Sequence, residues 1–196
     1  MRYLQTKRAI DVIISLTGLI TLTPLFLVLI LAIKLDSKGP VLFKQKRVGK
    51  GITYFNILKF RTMKTDAPRD MPTHLLESPE LYITRMGKIL RKTSLDELPQ
   101  IWNILIGHMS IVGPRPALWN QYDLLAERDK YGANDVLPGL TGWAQINGRD
   151  ELTIEQKAQL DGEYVKKMSF RLDVKCFWGT INCVLKSEGV AEGKGT

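Results

Sequence analysis

The chain has 196 residues and a formal net charge of +8, and 44% of its residues are hydrophobic. This length supports one domain of ordinary size plus a membrane segment, and the apolar content is not that of a disordered chain. The excess positive charge indicates an anionic partner. Charge alone leaves nucleic acid, a phosphate-bearing substrate and an acidic membrane surface open.

The first element in chain order is an uncharged stretch over residues 12–33. As a straight helix its roughly 22 residues would measure about 33 Å, enough to cross the hydrocarbon core of a bilayer. Pro24 predicts a kink near the middle, and the Thr23 hydroxyl is placed to satisfy a carbonyl that the kink frees. Basic residues flank both ends, so the positive-inside rule favours translocation of neither. We prefer a re-entrant helix-break-helix over residues 1–36, with a kinked single span and a buried core helix as the alternatives.

Residues 37–190 are predicted to form one further domain, followed by a flexible tail at 191–196. A short β-hairpin is expected from residues 41–43 and 54–58, joined by a basic, glycine-containing connection. The proline-rich stretch 65–79 predicts an exposed loop, and the glycine-punctuated stretch 138–149 predicts a loop with a short extended piece. Helices are expected at about 80–92, 95–106, 116–131, 153–167 and 174–185.

The last of these helices is amphipathic. Phe177, Trp178, Ile181 and Leu185 stand at helical spacing beside lysines, which is typical either of a helix at a membrane interface or of one that faces a core. The sequence leaves both open. The fold class predicted from all elements is α+β, mostly helical with a small β-hairpin, and anchored to a membrane by the N-terminal segment and by interfacial amphipathic helices.

Cysteine and histidine usage excludes several kinds of site. Cys176 and Cys183 are the only cysteines. On one helix their separation is about 10 Å of rise, too far for a disulfide, so both are expected to be reduced, as on a cytosolic face. His74 and His108 have no partner at metal-ligand spacing, so they do not indicate a metal site.

The adjacent acids Asp96 and Glu97 admit two interpretations. Ser94 and Glu97 have the spacing of a capping box, and acids in a first turn complement the helix dipole, so both could be structural. Pro99 would cost such a helix a hydrogen bond, and a start just before Pro99 is also possible. At either start the acids lie near free backbone N–H groups that can hold a phosphate, where an ionised carboxylate can act as a nucleophile.

Basic residues surround the acid pair in sequence. Lys59, Arg61 and Arg91 are each of a type that is most often solvated at a surface. Arg115 is different, because Pro114 and Pro116 restrict its backbone and would present its guanidinium from a stiff turn suited to bidentate phosphate contact.

Taken together, these motifs resemble the bacterial sugar transferases, the monotopic polyprenol-phosphate phosphoglycosyl transferases. The resemblance runs from Lys7 to about Leu185, and the short chain is similar to the minimal form of that family. It is carried by Lys59-Phe60-Arg61-Thr62-Met63, Arg91 with Asp96-Glu97-Leu98-Pro99-Gln100, Gly113-Pro114-Arg115-Pro116, Pro138-Gly139-Leu140-Thr141-Gly142-Trp143-Ala144-Gln145, Asn147-Gly148-Arg149 and Asp161-Gly162-Glu163-Tyr164-Val165.

The resemblance implies a ping-pong reaction in two steps. Asp96 would attack the β-phosphate of a UDP-sugar and release UMP, and polyprenol (undecaprenyl) phosphate would then accept the phospho-sugar. Mg²⁺ would be held by Asp96 with Glu97, which would also assist as a metal or proton-handling partner. Substrate and phosphate contacts are implied for Lys59, Arg61, Arg91, Arg115, Gln145, Asn147, Arg149 and Asp161.

The resemblance also implies a setting for the reaction. The family's re-entrant break at Ser-Pro corresponds here to Thr23-Pro24. Expected partners are membrane lipids and downstream glycosyltransferases, with no nucleic acid, and the catalytic domain is expected on the cytoplasmic face of the bacterial inner membrane. Leu137 and His108 depart from the family pattern, which usually has a basic residue and an acid at those positions. A membrane-attached phosphohydrolase and a non-catalytic anionic-lipid-binding protein are the competing hypotheses.

Overall fold

The computed structural model describes residues 2–68 and 78–186. The predicted tail at 191–196, the central part of the predicted loop at 65–79 and His74 lie outside these residues. The described part is mostly helical, with two small two-stranded sheets. The helices are α1 (Arg2–Thr21), α2 (Thr23–Asp36), α3 (Arg85–Lys92), α4 (Gln100–Leu105), α5 (Tyr122–Asp129), α6 (Trp143–Ile146), α7 (Ile154–Lys167) and α8 (Phe170–Lys186). The strands are β1 (Leu42–Val48), β2 (Tyr54–Phe60), β3 (Ser110–Val112) and β4 (Gly139–Thr141).

The predicted N-terminal kink is confirmed. Helices α1 and α2 meet at an angle of 62°, with Pro24 in the first turn of α2, where its missing N–H costs least. The Thr23 hydroxyl donates to the Leu19 carbonyl at 2.7 Å, as expected for a hydroxyl beside a break. Among the described residues no single helix is long and apolar enough to cross a bilayer, whereas this bent pair passes the same test as a unit.

The surface of the bent pair is apolar. Ile13, Ile20, Leu27 and Leu31 are each at least 60% exposed. A helix buried in a protein core would cover such residues, so the core-helix alternative does not fit. A continuous exposed apolar surface of this kind is typical of contact with lipid or with another protein.

Strands β1 and β2 form the predicted antiparallel hairpin, in register from Leu42↔Phe60 to Val48↔Tyr54. The hairpin is longer than predicted, because Lys46 and Arg47 belong to β1 and not to the connection. Alternation along β1 leaves Lys46 exposed and turns Arg47 inward. The strand therefore carries a cation toward the interior of the domain.

Three predicted helices are shorter in the structure. Helix α3 begins at Arg85, where the Thr84 hydroxyl accepts from the Gly87 N–H at 3.0 Å. Helix α4 begins at Gln100, after the acids, and α5 begins only at Tyr122. The segment before α5 is extended because it pairs with β1, with the Val48 N–H donating to the Ala117 carbonyl at 3.0 Å.

The two C-terminal helices agree better with the sequence. Helix α7 starts after Thr153, whose side chain forms a reciprocal capping box with Gln156. Helix α8 starts before its predicted position and includes the amphipathic segment, with Phe177 and Trp178 exposed and Cys176 fully buried. Both cysteines are free, as expected.

One cluster of apolar side chains fixes the position of the acid pair. Leu29 and Ile33 of α2 pack with Phe60 of β2 and Leu90 of α3. Leu95 and Leu98, on either side of Asp96 and Glu97, pack against this cluster. The turn that carries Asp96 and Glu97 is therefore held in place by packing against α2.

A second set of contacts joins α1 to α8. Asp173 of α8 accepts hydrogen bonds from the Tyr3 hydroxyl at 2.6 Å and the Tyr164 hydroxyl at 2.7 Å, and it forms an ion pair with Lys7. Because Tyr3 and Lys7 belong to α1, this network fixes the bent helix pair relative to α8.

Candidate active site

Asp96 and Glu97 lie in a short 3₁₀ turn, Leu95–Glu97, between α3 and α4. The capping-box interpretation is wrong, because Ser94 has a left-handed backbone (φ 55°) and its side chain makes no capping hydrogen bond. Pro99 is instead the N-cap residue of α4, so the helix begins just after Pro99, close to the alternative start that the sequence left open. The acids therefore have no capping role that would explain both of them.

Two cations from distant parts of the chain hold Glu97. Its Oε1 accepts from Lys59 Nζ at 2.7 Å and from Arg115 Nη2 at 2.9 Å. Lys59 comes from β2 and Arg115 from the segment after β3. Lys59 Nζ also lies 3.8 Å from Asp96 Oδ2, so one lysine faces both acids.

The two carboxyl groups are tuned in opposite directions. Burial raises the pKa of Asp96, and the charge of Glu97 adds to the rise while Lys59, Arg91 and Arg115 oppose it. Burial also raises the pKa of Glu97, but the charges and hydrogen bonds of Arg115 and Lys59 together outweigh it and hold that pKa well below its usual range. Glu97 is thus a fixed counter-ion, and Asp96 is the more basic carboxylate of the pair.

Asp96 faces a cavity of about 390 Å³ between the hairpin and α3, here called the basic cavity. Asp96 is the only acid among its described lining residues, which otherwise include six cations. This excess of positive charge around one carboxylate suits a ligand with several phosphate charges. The cations are Lys44, Arg47, Lys59, Arg61, Lys64 and Arg91.

Glu97 faces a second cavity of about 180 Å³, here called the apolar cavity. Arg115, Gln145 and Arg149 line it together with apolar side chains from α8 and β4. Gln145 donates to the Leu140 carbonyl at 3.1 Å, and its buried Oε1 has no hydrogen-bond partner among the described residues. The acid pair therefore separates two cavities of different chemistry.

Three predicted site residues have other contacts. Arg61 lines the basic cavity, but two of its nitrogens donate at 2.8 Å to the carbonyls of Ser37 and Lys38, just after α2. Asn147 donates to the Trp143 carbonyl at 2.7 Å, within its own turn, and lines neither cavity. Asp161 is 1% exposed and also lines neither cavity.

The carboxylate of Asp161 forms a buried ion pair with Arg128. Its Oδ2 accepts from Arg128 Nε at 2.8 Å and from Arg128 Nη2 at 2.6 Å, which joins α7 to α5. The family resemblance implied a substrate or phosphate contact for Asp161, whereas here its carboxylate is engaged by Arg128. The structure places it in the packing of two helices.

Arg47 is a site residue that the sequence analysis missed. Its guanidinium donates to Gln45 Oε1 at 3.1 and 2.6 Å and to the Pro116 carbonyl at 3.0 Å, next to Arg115. Burial lowers the pKa of Arg47 to about 9, with the Arg115 charge contributing and Glu97 opposing. Arg47 thus positions the turn that presents Arg115. The sequence signal that could have found Arg47 is the alternation of side chains along a strand, which places Gln45 and Arg47 on the same face of β1.

The described side chains could hold a magnesium ion only if a substrate supplied further oxygen ligands. Within residues 2–68 and 78–186 no group of three or more metal-ligating side chains comes together. Mg²⁺ commonly uses one or two carboxylates together with substrate phosphates and water, and Asp96 opens into a cavity suited to phosphate. Glu97 has one oxygen already engaged by Lys59 and Arg115.

Comparison with known proteins identifies the family of this chain. The sequence model of the family described as bacterial sugar transferase matches residues 2–187. The chain is 41% identical over 186 residues to the uncharacterized sugar transferase EpsL of Bacillus subtilis (strain 168), covering 95% of this chain and 90% of EpsL.

Two longer relatives carry more specific names. The chain is 42% identical over 187 residues to the undecaprenyl-phosphate glucose phosphotransferase of Komagataeibacter xylinus, covering 89% of this chain and 35% of that protein. It is 40% identical over 183 residues to the UDP-glucose:undecaprenyl-phosphate glucose-1-phosphate transferase of Escherichia coli (strain K12), covering 89% of this chain and 39% of that protein. Because the family model matches residues 2–187, this chain belongs to the bacterial sugar transferases.

Proposed function

We propose that the protein transfers a sugar phosphate from a UDP-sugar to undecaprenyl phosphate, in exopolysaccharide synthesis. The observation that carries the proposal is the single carboxylate of Asp96 in a cavity lined by six cations. The names of the K. xylinus and E. coli relatives supply the acceptor, and the name of the E. coli protein also supplies the nucleotide part of the donor. The product would then be a substrate for glycosyltransferases that extend the glycan.

Asp96 is the nucleophile in this proposal. One of its carboxylate oxygens forms a bond to the β-phosphorus of the UDP-sugar, and the bond from that phosphorus to the bridging oxygen breaks, so UMP leaves with the bonding electrons. An oxygen of undecaprenyl phosphate then attacks the same phosphorus and returns the Asp96 carboxylate. The raised pKa of Asp96 supports this role, because a more basic carboxylate is the better nucleophile.

The neighbouring cations have two tasks. Glu97 keeps Lys59 and Arg115 in place, since both donate to its Oε1. Arg91 and the other cations of the basic cavity would bind the diphosphate and stabilise the charge that develops on the leaving UMP. Mg²⁺, held by Asp96 and assisted by Glu97, would supply further neutralisation of phosphate charge.

The test is UMP release by detergent-purified protein from a panel of UDP-sugars with Mg²⁺, with and without undecaprenyl phosphate. For one donor of the panel we expect repeated turnover with UMP release only when the acceptor is present, and no more than about one UMP per protein molecule without it. Release of UDP would instead mean ordinary glycosyl transfer. Release of inorganic phosphate without need of an acceptor would mean a phosphohydrolase, and no release from any donor would favour a lipid-binding protein.

Lys59→Met is expected to move the pH dependence of this reaction. Asp96 must be ionised to attack, so the rate falls as pH drops through its pKa. The Lys59 charge lowers that pKa, and its removal should raise it further, so the variant should lose activity at a higher pH than the wild type. The measurement is kcat/KM for the donor against pH, with Lys44→Met, an exposed lysine of the same cavity, as the control. An unmoved acid limb in Lys59→Met would contradict the assignment of Asp96.

For localisation we propose that the bent helix pair enters and leaves the inner membrane on the cytoplasmic side. Support comes from the 62° break, the exposed apolar surface of both helices and the basic residues at both ends. A tag at residue 1 should then resist an impermeant label added outside intact cells. Labelling of that tag would reject the re-entrant arrangement in favour of a kinked span.

A further inference from the structure

The apolar cavity combines two chemical features. Its walls are mostly hydrocarbon, and two guanidinium groups and one carboxylate stand among them. The apolar walls are Leu98, Ile111, Leu140, Phe177 and Ile181, and the charged residues are Glu97, Arg115 and Arg149. A ligand that satisfies both features has a small anionic group joined directly to an apolar chain.

The basic cavity would not suit such a ligand as well. Its six cations match a ligand with several negative charges. The apolar cavity has two arginines, and Arg115 is already paired with Glu97, so its positive potential is smaller. A single phosphate is the better match there.

The apolar cavity is continuous with an exposed apolar stripe on α8. Phe177 lines the cavity and is also 45% exposed, so its ring stands at the rim. Val174 and Phe170 are exposed one and two turns before Phe177 on the same helix, and the exposed ring of Trp178 contacts that of Phe177 with centroids 5.9 Å apart. A chain too long for a volume of about 180 Å³ could leave past Phe177 along this stripe.

The stripe is tied to the bent helix pair. Asp173 of α8 is bound by Tyr3 and Lys7 of α1, so α8 keeps a fixed position beside the helices that carry the largest apolar surface. A lipid tail that leaves the cavity along α8 would meet that surface and the bilayer around it. The geometry therefore connects the acid pair to the membrane by an apolar route.

We propose that the apolar cavity is the binding site of the acceptor, a polyprenyl phosphate. Its phosphate lies by Arg115 and Arg149, and the first isoprene units contact Leu98, Leu140 and Ile181. The rest of the tail passes Phe177 into the bilayer. This assignment rests on the proposed function, and it adds that the donor and the tail of the acceptor occupy different cavities on the two sides of the acid pair.

Cys183 offers a direct test in the unaltered protein. It lines the apolar cavity, whereas Cys176 is fully buried, so a maleimide should report mainly on Cys183. We expect undecaprenyl phosphate in detergent to slow the labelling of Cys183 at least about fivefold, in proportion to its occupancy of the site. UDP-sugar, inorganic phosphate and undecaprenol, which lacks the phosphate, should each protect far less.

Filling the cavity gives a second readout. Ile181→Trp should lower kcat/KM for undecaprenyl phosphate about tenfold or more and leave kcat/KM for the UDP-sugar nearly unchanged. Asn182→Trp places the same bulk at an exposed position of α8 that lines neither cavity and lies outside the apolar stripe, and it should alter neither value. A loss of donor kcat/KM alone in Ile181→Trp would assign the cavity to the donor and overturn the proposal.

The labelling outcomes separate this proposal from the proposed function. Equal protection by undecaprenol, or by inorganic phosphate alone, would overturn the assignment to a polyprenyl phosphate. Absence of protection in a preparation that releases UMP normally would also overturn it and would leave the proposed function standing. A preparation that releases no UMP from any donor would instead contradict the proposed function itself.

Discussion

Asp96→Asn is expected to lower UMP release by at least about 10³-fold, because it removes the attacking carboxylate and keeps the shape of the side chain. Asparagine is uncharged and a poor nucleophile toward phosphorus. The substitution should not unfold the protein. Asp96 lines a cavity, and burial disfavours its ionised form, so an uncharged side chain of the same shape is tolerated there. Membrane binding should persist, because the bent helix pair is unaffected.

The measurement is single-turnover UMP release, together with trapping of a labelled intermediate. With a donor labelled in its β-phosphate and no acceptor, the wild-type protein should retain label that neutral hydroxylamine removes, as expected for an acyl phosphate. Asp96→Asn should retain none. Glu97→Gln is the informative companion, because it disturbs Lys59 and Arg115 without removing the proposed nucleophile. An Asp96→Asn protein that releases UMP at the wild-type rate would end the nucleophile assignment.

Some of this fold could be predicted because its determinants are local. Pro24 after Thr23 was sufficient to place the break between α1 and α2. The two apolar segments at 41–43 and 54–58, with a glycine-containing connection between them, also indicated the hairpin. In each case the residues that decide the structure lie within one turn or one strand of each other.

The acid pair shows where local signals mislead. Ser94 and Glu97 have the spacing of a capping box, yet the backbone at Ser94 is left-handed and the helix begins after Pro99. The position of this turn is determined by the packing of Leu95 and Leu98 against the apolar cluster that includes Leu29 and Ile33 of α2. Such contacts join residues far apart in sequence, so no spacing rule could reveal them.

The arrangement of cations around the acids is non-local for the same reason. Lys59, Glu97 and Arg115 come from three elements, and only the fold shows that both cations reach the same oxygen. Arg47 was hidden because the hairpin was predicted too short, which left that residue in a connection. The family resemblance named several of the polar residues that line the two cavities, but the geometry distinguishes the roles of Asp96 and Glu97.

Asp161→Asn is expected to destabilise the protein by about 3–5 kcal/mol, because it leaves the Arg128 guanidinium buried without a counter-charge. Arg128 is 5% exposed and Asp161 is 1% exposed, so water cannot replace the lost carboxylate easily. For a chain of this size the change corresponds to a fall in Tm of roughly 6–20 °C. Thermal unfolding in detergent, scanned at one fixed rate, would measure it.

The double variant Arg128→Met with Asp161→Leu separates a structural role from a catalytic one. Burial raises the pKa of Asp161 despite the opposing charge and hydrogen bonds of Arg128, which indicates that the ionised carboxylate gains less from its partner than it loses by leaving water. Replacing both charges by apolar side chains should therefore recover most of the lost stability. The double variant should also release UMP with near wild-type kcat. A stable Asp161→Asn protein with a greatly reduced kcat would return Asp161 to the active site.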